Sequence, residues 1–251
     1  MAPHLVLALA LGTLIGVSLG LLGGGGSILA VPVLVYLARV EVHSAIGMSL
    51  AIVGATALVG GLVHARAGRV DLRAAALFGA AGIVGAPLGA QATHRVAPRV
   101  LLLFFAGLML AVGALMLRSR GAPRHEASRP HPVAVPAAGF GVGLLTGFLG
   151  VGGGFLIVPA LTLLARLPIH AAVGTSLLVI AANSAAGLVG HLGRGDLPLG
   201  LTAAFTAAAV AGALAGVRVA GRLDPLRLRR AFAVFVVLVG LFLLAKNALP
   251  A

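Results

Sequence analysis

The chain has 251 residues, enough for one or two domains, with 60% hydrophobic residues, 9% charged residues and a mean hydropathy of +1.14. A water-soluble fold needs more polar side chain to cover its outside, since about a quarter of an ordinary domain is charged; a soluble enzyme and a disordered tail are excluded, and a polytopic membrane protein is implied. The net charge of +13 comes from 17 Arg and one Lys lying between apolar runs, where it sets membrane orientation, and no aromatic–basic module points to nucleic acid.

A spanning helix needs about 20 apolar residues at 1.5 Å per residue. The apolar runs are 4–38, 43–64, 71–93, 98–117, 133–165, 169–191, 197–220 and 228–245. Six of them fit one helix each, but 4–38 and 133–165 are too long. The first run carries Gly20-Leu21-Leu22-Gly23-Gly24-Gly25-Gly26-Ser27 in its middle, and Pro32 follows. Each glycine costs about 1 kcal/mol against alanine inside a helix, so the cluster predicts helix, break, helix. No Lys or Arg occurs before Arg39. The basic start of a signal peptide is therefore missing, and the segment is expected to belong to the mature fold. The next run opens with His43, Gly47 and Ser49, carries Thr56 farther in and ends near His64. After the runs 71–93 and 98–117 comes the longest polar stretch, which divides the chain into a first repeat (1–117), a linker (118–132) and a second repeat (133–251).

The second half repeats the first at an offset of 127. Its glycine cluster, Gly147-Phe148-Leu149-Gly150-Val151-Gly152-Gly153-Gly154, is followed by Pro159, then His170, Gly174, Thr175, Ser176, Asn183 and His191. Over 20–64, 20 of 45 ungapped pairs are identical, which marks a duplication. If each broken run enters and leaves on one side, 13 of the 18 basic residues share a side; if each is a single crossing, the split is 9 to 9. Only the first arrangement obeys the positive-inside rule. It predicts an all-α membrane protein of two inverted-topology repeats, each a glycine-broken helix hairpin plus three transmembrane helices. The linker is then cytoplasmic and both termini are outside. Inverted repeats with broken helices are a transporter architecture.

A helix that starts in mid-membrane presents N–H groups without partners, and an anion satisfies them. The expected substrate-binding residues are Gly23, Gly25, Gly26 and Ser27 in the first break and Gly150, Gly152, Gly153 and Gly154 in the second. Ser49, Thr175, Ser176 and Asn183 follow on the next helices. The glycines also suit close helix crossing, and the hydroxyls also suit bonds to their own helix carbonyls; both alternatives stay open. The five acids, Glu41, Asp71, Glu126, Asp196 and Asp224, fall in linkers or at helix ends, so no mid-span carboxylate would repel an anion or relay protons. His43, His64, His170 and His191 are the only candidate proton carriers with a repeat partner, or else interfacial side chains. With no cysteine, thiolate chemistry is excluded, and no metal or cofactor is expected. An intramembrane hydrolase is disfavoured, because His43 and His170 precede Ser49 and Ser176 by about 1.7 helical turns and no nucleophile elbow surrounds either serine.

The paired motif Gly-Leu-Leu-Gly-x-Gly-Gly…Val-Pro-x-Leu (20–34, and 147–161 with Phe148 at the second position) is followed both times by His-x-Ala-x-Gly-x-Ser-Leu (43–50, 170–177). In this the chain resembles the sulfite exporter TauE/SafE family over nearly its whole length, departing at Met48 opposite Thr175 and Gly24 opposite Val151. The resemblance implies a multi-pass permease of the cell membrane, not an enzyme, that exports a small sulfur-containing anion such as sulfite or an organosulfonate. Alternating access is the expected mechanism and a passive anion channel the alternative. The expected partners are the anion, the lipid bilayer and a second copy in a homodimer, with no nucleic acid.

Overall fold

The computed structural model describes residues 3–93, 98–118, 133–149, 154–191 and 198–248. Among these residues all regular structure is helical, as the apolar runs predict. In the first half α1 (Pro3–Leu22) leads through a 3-10 turn (Gly23–Gly26) to α2 (Ser27–Pro32) and a π-helical turn (Val33–Leu37), then α3 (Val42–Arg66), α4 (Leu72–Thr93) and α5 (Pro98–Arg118). In the second half come α6 (Ala134–Leu149), α7 (Gly154–Leu163), α8 (Ile169–His191), α9 (Leu199–Arg222) and α10 (Pro225–Ala248). Among the described residues six stretches are long and apolar enough to cross a membrane. Large apolar side chains such as Leu14, Leu62, Val84, Phe104 and Phe242 face outward, the reverse of what water demands of a surface.

The first long run breaks at its glycines. Gly23 adopts φ +69°, a left-handed conformation that only glycine enters freely, and the chain turns back on α1. A side chain on Gly26 would begin 2.7 Å from the Ile15 carbonyl oxygen, whereas a straight helix would separate residues 15 and 26 by about 16 Å. The 27 residues Leu9–Val35 are apolar enough for one crossing but contain this reversal. The second run is α6 and α7 on either side of residues 150–153, which lie outside the described residues, as does the linker from 119 to 132.

The duplication extends to backbone geometry. The helices beginning at Ser27, Val42, Leu72 and Pro98 have counterparts beginning at Gly154, Ile169, Leu199 and Pro225, each 127 positions on. Both broken segments end alike. Ala38 N–H donates to Val33 O and Val40 N–H to Leu34 O; Ala165 N–H donates to Ala160 O and Leu167 N–H to Leu161 O. Between each pair of donors sits an arginine in the left-handed region, Arg39 and Arg166, both at φ 54°. Glycine usually occupies such a helix terminator.

The two halves interlock. The most extensive helix contacts are α4 with α6, α1 with α9, α5 with α10 and α3 with α8. Small residues permit the closest approaches, as expected where packing rather than water drives helix association. On α1, Gly16 and Gly20 lie on the backbone of Ala209 and Ala213; on α6, Gly139 and Gly143 lie on that of Phe78 and Gly82. In both of these pairs residue numbers rise together, so the helices run in the same direction. In the α3·α8 pair Leu50 meets Gly187, Gly54 meets Ser184, Gly60 meets Leu177 and His64 meets Gly174, so these helices run antiparallel. So do α5 and α10, where Met109 meets Gly240 and Gly113 meets Val237.

Candidate functional site

The first break is enclosed by the fold, with Gly23, Gly24, Gly25 and Gly26 all buried. The α carbon of Gly23 faces α8, and a side chain there would begin 2.6 Å from Ser176 Oγ. Gly24 lies directly on the backbone of Gly154, the first residue of α7. Ser27 Oγ donates to the Gly24 carbonyl at 2.7 Å and fills the space a side chain on Gly154 would need. Gly25 faces the ring of Phe235 on α10. No side chain caps the turn at Leu22, and the first amides of a helix have no partner within it. At the start of α2 the Ser27 N–H donates to the Gly24 carbonyl.

The hydroxyls distribute differently from the amides. Ser176 is buried against Gly23, and its Oγ donates to Val173 O at 2.8 Å. Thr175 is also buried, and its Oγ1 accepts from Asp71 N–H at 3.0 Å, tying α8 to the start of α4. Ser49 is buried near the opposite end of the α3·α8 pair, beside Leu50 at its contact with Gly187. Ser176 adjoins Leu177, which meets Gly60, so about 12 residues of α3, roughly 18 Å, separate the two serines along the pair. One small anion does not span that distance. Asn183 is exposed. Its counterpart Thr56 is fully buried with no hydrogen-bond partner for Oγ1 among the described residues. Gly150, Gly152 and Gly153 lie outside the described residues.

The histidines also separate. The side chains of His43 and His191 lie outside the described residues. His64 is fully buried, and the Gly20 backbone offers its ring a hydrogen-bond partner. Its Cβ packs on Gly174 of α8, one turn from His170, and the Gly20 backbone of α1 lies nearby. His170 Nε2 is 3.2 Å from the Ala220 carbonyl oxygen of α9, the geometry of a ring N–H donating to it. The sequence reading treated Arg69 only as a charge that orients the protein. In the folded chain its guanidinium lies over Gly221, where a side chain would begin 2.6 Å from Nη1. No spacing in the sequence reveals that Gly221 of α9 closes over the loop that carries Arg69.

The chain is similar to known membrane transporters over most of its length. The family model described as Sulfite exporter TauE/SafE matches residues 8–243. A "Probable membrane transporter protein" of Xylella fastidiosa (strain 9a5c) is 35% identical over 250 residues, covering 97% of this chain and 96% of that one. "Probable membrane transporter protein YdhB" of Bacillus subtilis is 26% identical, covering 92% of this chain and 96% of its own. A protein of Methanocaldococcus jannaschii named "Probable membrane transporter protein MJ0441" is 24% identical, covering 96% and 95%. No solved structure matches the chain.

Proposed function

Because the chain belongs to the sulfite exporter TauE/SafE family of multi-pass membrane transporters, we propose that it is a secondary transporter that exports a small sulfur-containing anion, such as sulfite or an organosulfonate, across the plasma membrane by alternating access. The observation that carries this reading is the buried crossing of the two glycine-broken segments, Gly24 and Ser27 against Gly154. A half-helix that starts there offers backbone donors and the positive end of its dipole to an anion.

The antiparallel run of α3 against α8 and of α5 against α10 supports two inverted repeats, because each pair consists of equivalent helices from the two halves. Both termini then lie outside and residues 118–132 in the cytoplasm. Inversion gives the separated serines a role. Ser176 lies beside the first break, and Ser49, its repeat partner, takes the equivalent place beside Gly150–Gly154 when the halves exchange conformations. Thr175 accompanies Ser176 in one state, and Met48 leaves the other with one hydroxyl fewer. The backbones of Gly24 and Gly154 touch at the crossing, which suits the closed constriction of an alternating-access cycle better than a standing pore.

Flux of radiolabelled sulfite into proteoliposomes tests the proposal. The wild-type protein is expected to carry sulfite at no more than about 10³ turnovers per second, the ordinary range for a protein that cycles. Gly25→Val and Gly152→Val are expected to abolish flux. Unchanged transport in both variants, with both folded, would falsify the site.

A further inference from the structure

The corner where the α3–α4 loop meets α8 and α9 has a use that the central crossing does not supply. We propose that Arg69, His64 and His170 form an anion-receiving subsite, through which the substrate loads onto the first glycine break from the face that carries the α3–α4 loop. The proposal rests on the anion reading above and adds a location and a direction to it.

Two independent observations converge here. The first is His64, whose ring is fully buried with the Gly20 backbone as its one hydrogen-bond partner among the described residues. Folded interiors rarely leave a buried ring nitrogen such as its second one without a partner, and a missing ligand is one of the few explanations. The second is Arg69. Its N–H donates to His64 O at 2.9 Å, and the turn before it closes through Gly68 N–H to Ala65 O at 3.0 Å with Gly68 at φ +68°. That turn aims the guanidinium at Gly221, where only the absence of a side chain leaves it room. His170 reaches the adjoining residue, Ala220. Arg69 and His170 thus meet one stretch of α9, with His64 packed behind them on Gly174 of α8.

The charge around this corner is unbalanced. Arg66, Arg73, Arg218 and Arg222 flank it, against Asp71 and Asp224. Asp71 is occupied at the start of α4, where Oδ1 accepts from Ala74 N–H at 2.8 Å. No carboxylate pairs with Arg69 among the described residues. A guanidinium with two imidazoles beside it matches an oxyanion in charge and donor geometry. The route inward is short. Gly174, against which His64 packs, lies two residues from Ser176, and Ser176 touches Gly23. On the other side of His64, Gly20 lies three residues before Gly23.

Sided flux separates this subsite from a general loss of transport. With the protein reconstituted in one orientation and radiolabelled sulfite supplied on the α3–α4 loop side, Arg69→Gln is expected to raise the half-saturating concentration tenfold or more. With sulfite on the other side the shift is expected to stay under twofold. Arg69→Lys should recover most of the loss, and His170→Gln should move the same side in the same direction. No shift for Arg69→Gln, or an equal shift from both faces, overturns the subsite while leaving the transport reading intact. If the wild-type protein carries no sulfite at all, the transport reading fails, and equilibrium titration with sulfite decides the subsite separately. Binding weakened tenfold by Arg69→Gln upholds it; equal binding, or none to the wild type, overturns it.

Discussion

Thr56 carries a hydroxyl in the middle of α3 that is fully buried and has no hydrogen-bond partner among the described residues. Burying such a group unpaired costs about 1–3 kcal/mol, and valine has nearly the same shape without the oxygen. Thr56→Val is therefore expected to stabilise the detergent-solubilised protein by about 1 kcal/mol, read as a higher denaturant midpoint; an unchanged or lower midpoint would mean that the oxygen is satisfied. At this scale the sequence was legible where one residue dictates its own backbone. Gly23 turns the chain where the oligoglycine stretch foretold a break. It was not legible where function depends on neighbours from the other half. Aligning the repeats equates Ser49 with Ser176 and Thr56 with Asn183, but equivalence is not proximity. The serines lie near opposite ends of a helix pair, and of the second two one is buried and the other exposed. Arg69 was hidden for the same reason, since no spacing within the first half reveals Gly221.

Among the helices, glycine has two roles that sequence alone did not separate. Gly16, Gly20, Gly139 and Gly143 let α1 meet α9 and α6 meet α4 with backbones in contact; Gly23–Gly26 interrupt a helix. The first role leaves no space to spare. Gly139→Leu places a side chain into the Phe78 backbone and is expected to abolish the folded protein, seen as loss of the monodisperse peak in size-exclusion chromatography. Gly107 on α5 has nothing within 4 Å of where a side chain would begin, and Gly107→Ala is expected to stabilise by about 1 kcal/mol through helix propensity alone. If both substitutions behaved alike, helix packing would not be what selects glycine at 139. Helix starts were legible because the repeat fixes them twice, as at Val42 and Ile169 or Pro98 and Pro225. Which helices pair was not, because the choice is made across the halves by shape.

For the molecule as a whole, the antiparallel pairing of α5 with α10 makes topology a direct measurement. The chain has no native cysteine, so single cysteines report without background. Arg118→Cys at the end of α5 and Ala245→Cys near the end of α10 are both exposed sites. A membrane-impermeant maleimide is expected to label the first from the cytoplasmic face only and the second from the outer face only. Labelling of both from one face would refute the inverted arrangement. The pairing of α1 with α9 also bears on how the protein is made. About 190 residues separate α1 from the helix it packs on, and at about 5–20 residues per second the ribosome needs roughly 10–40 s to supply them. Throughout that interval the small-residue face of α1, with Gly16 and Gly20 bare, has no permanent cover. Biogenesis of this chain therefore requires a temporary companion for its first helix, from the insertion machinery or from lipid, until α9 arrives to displace it.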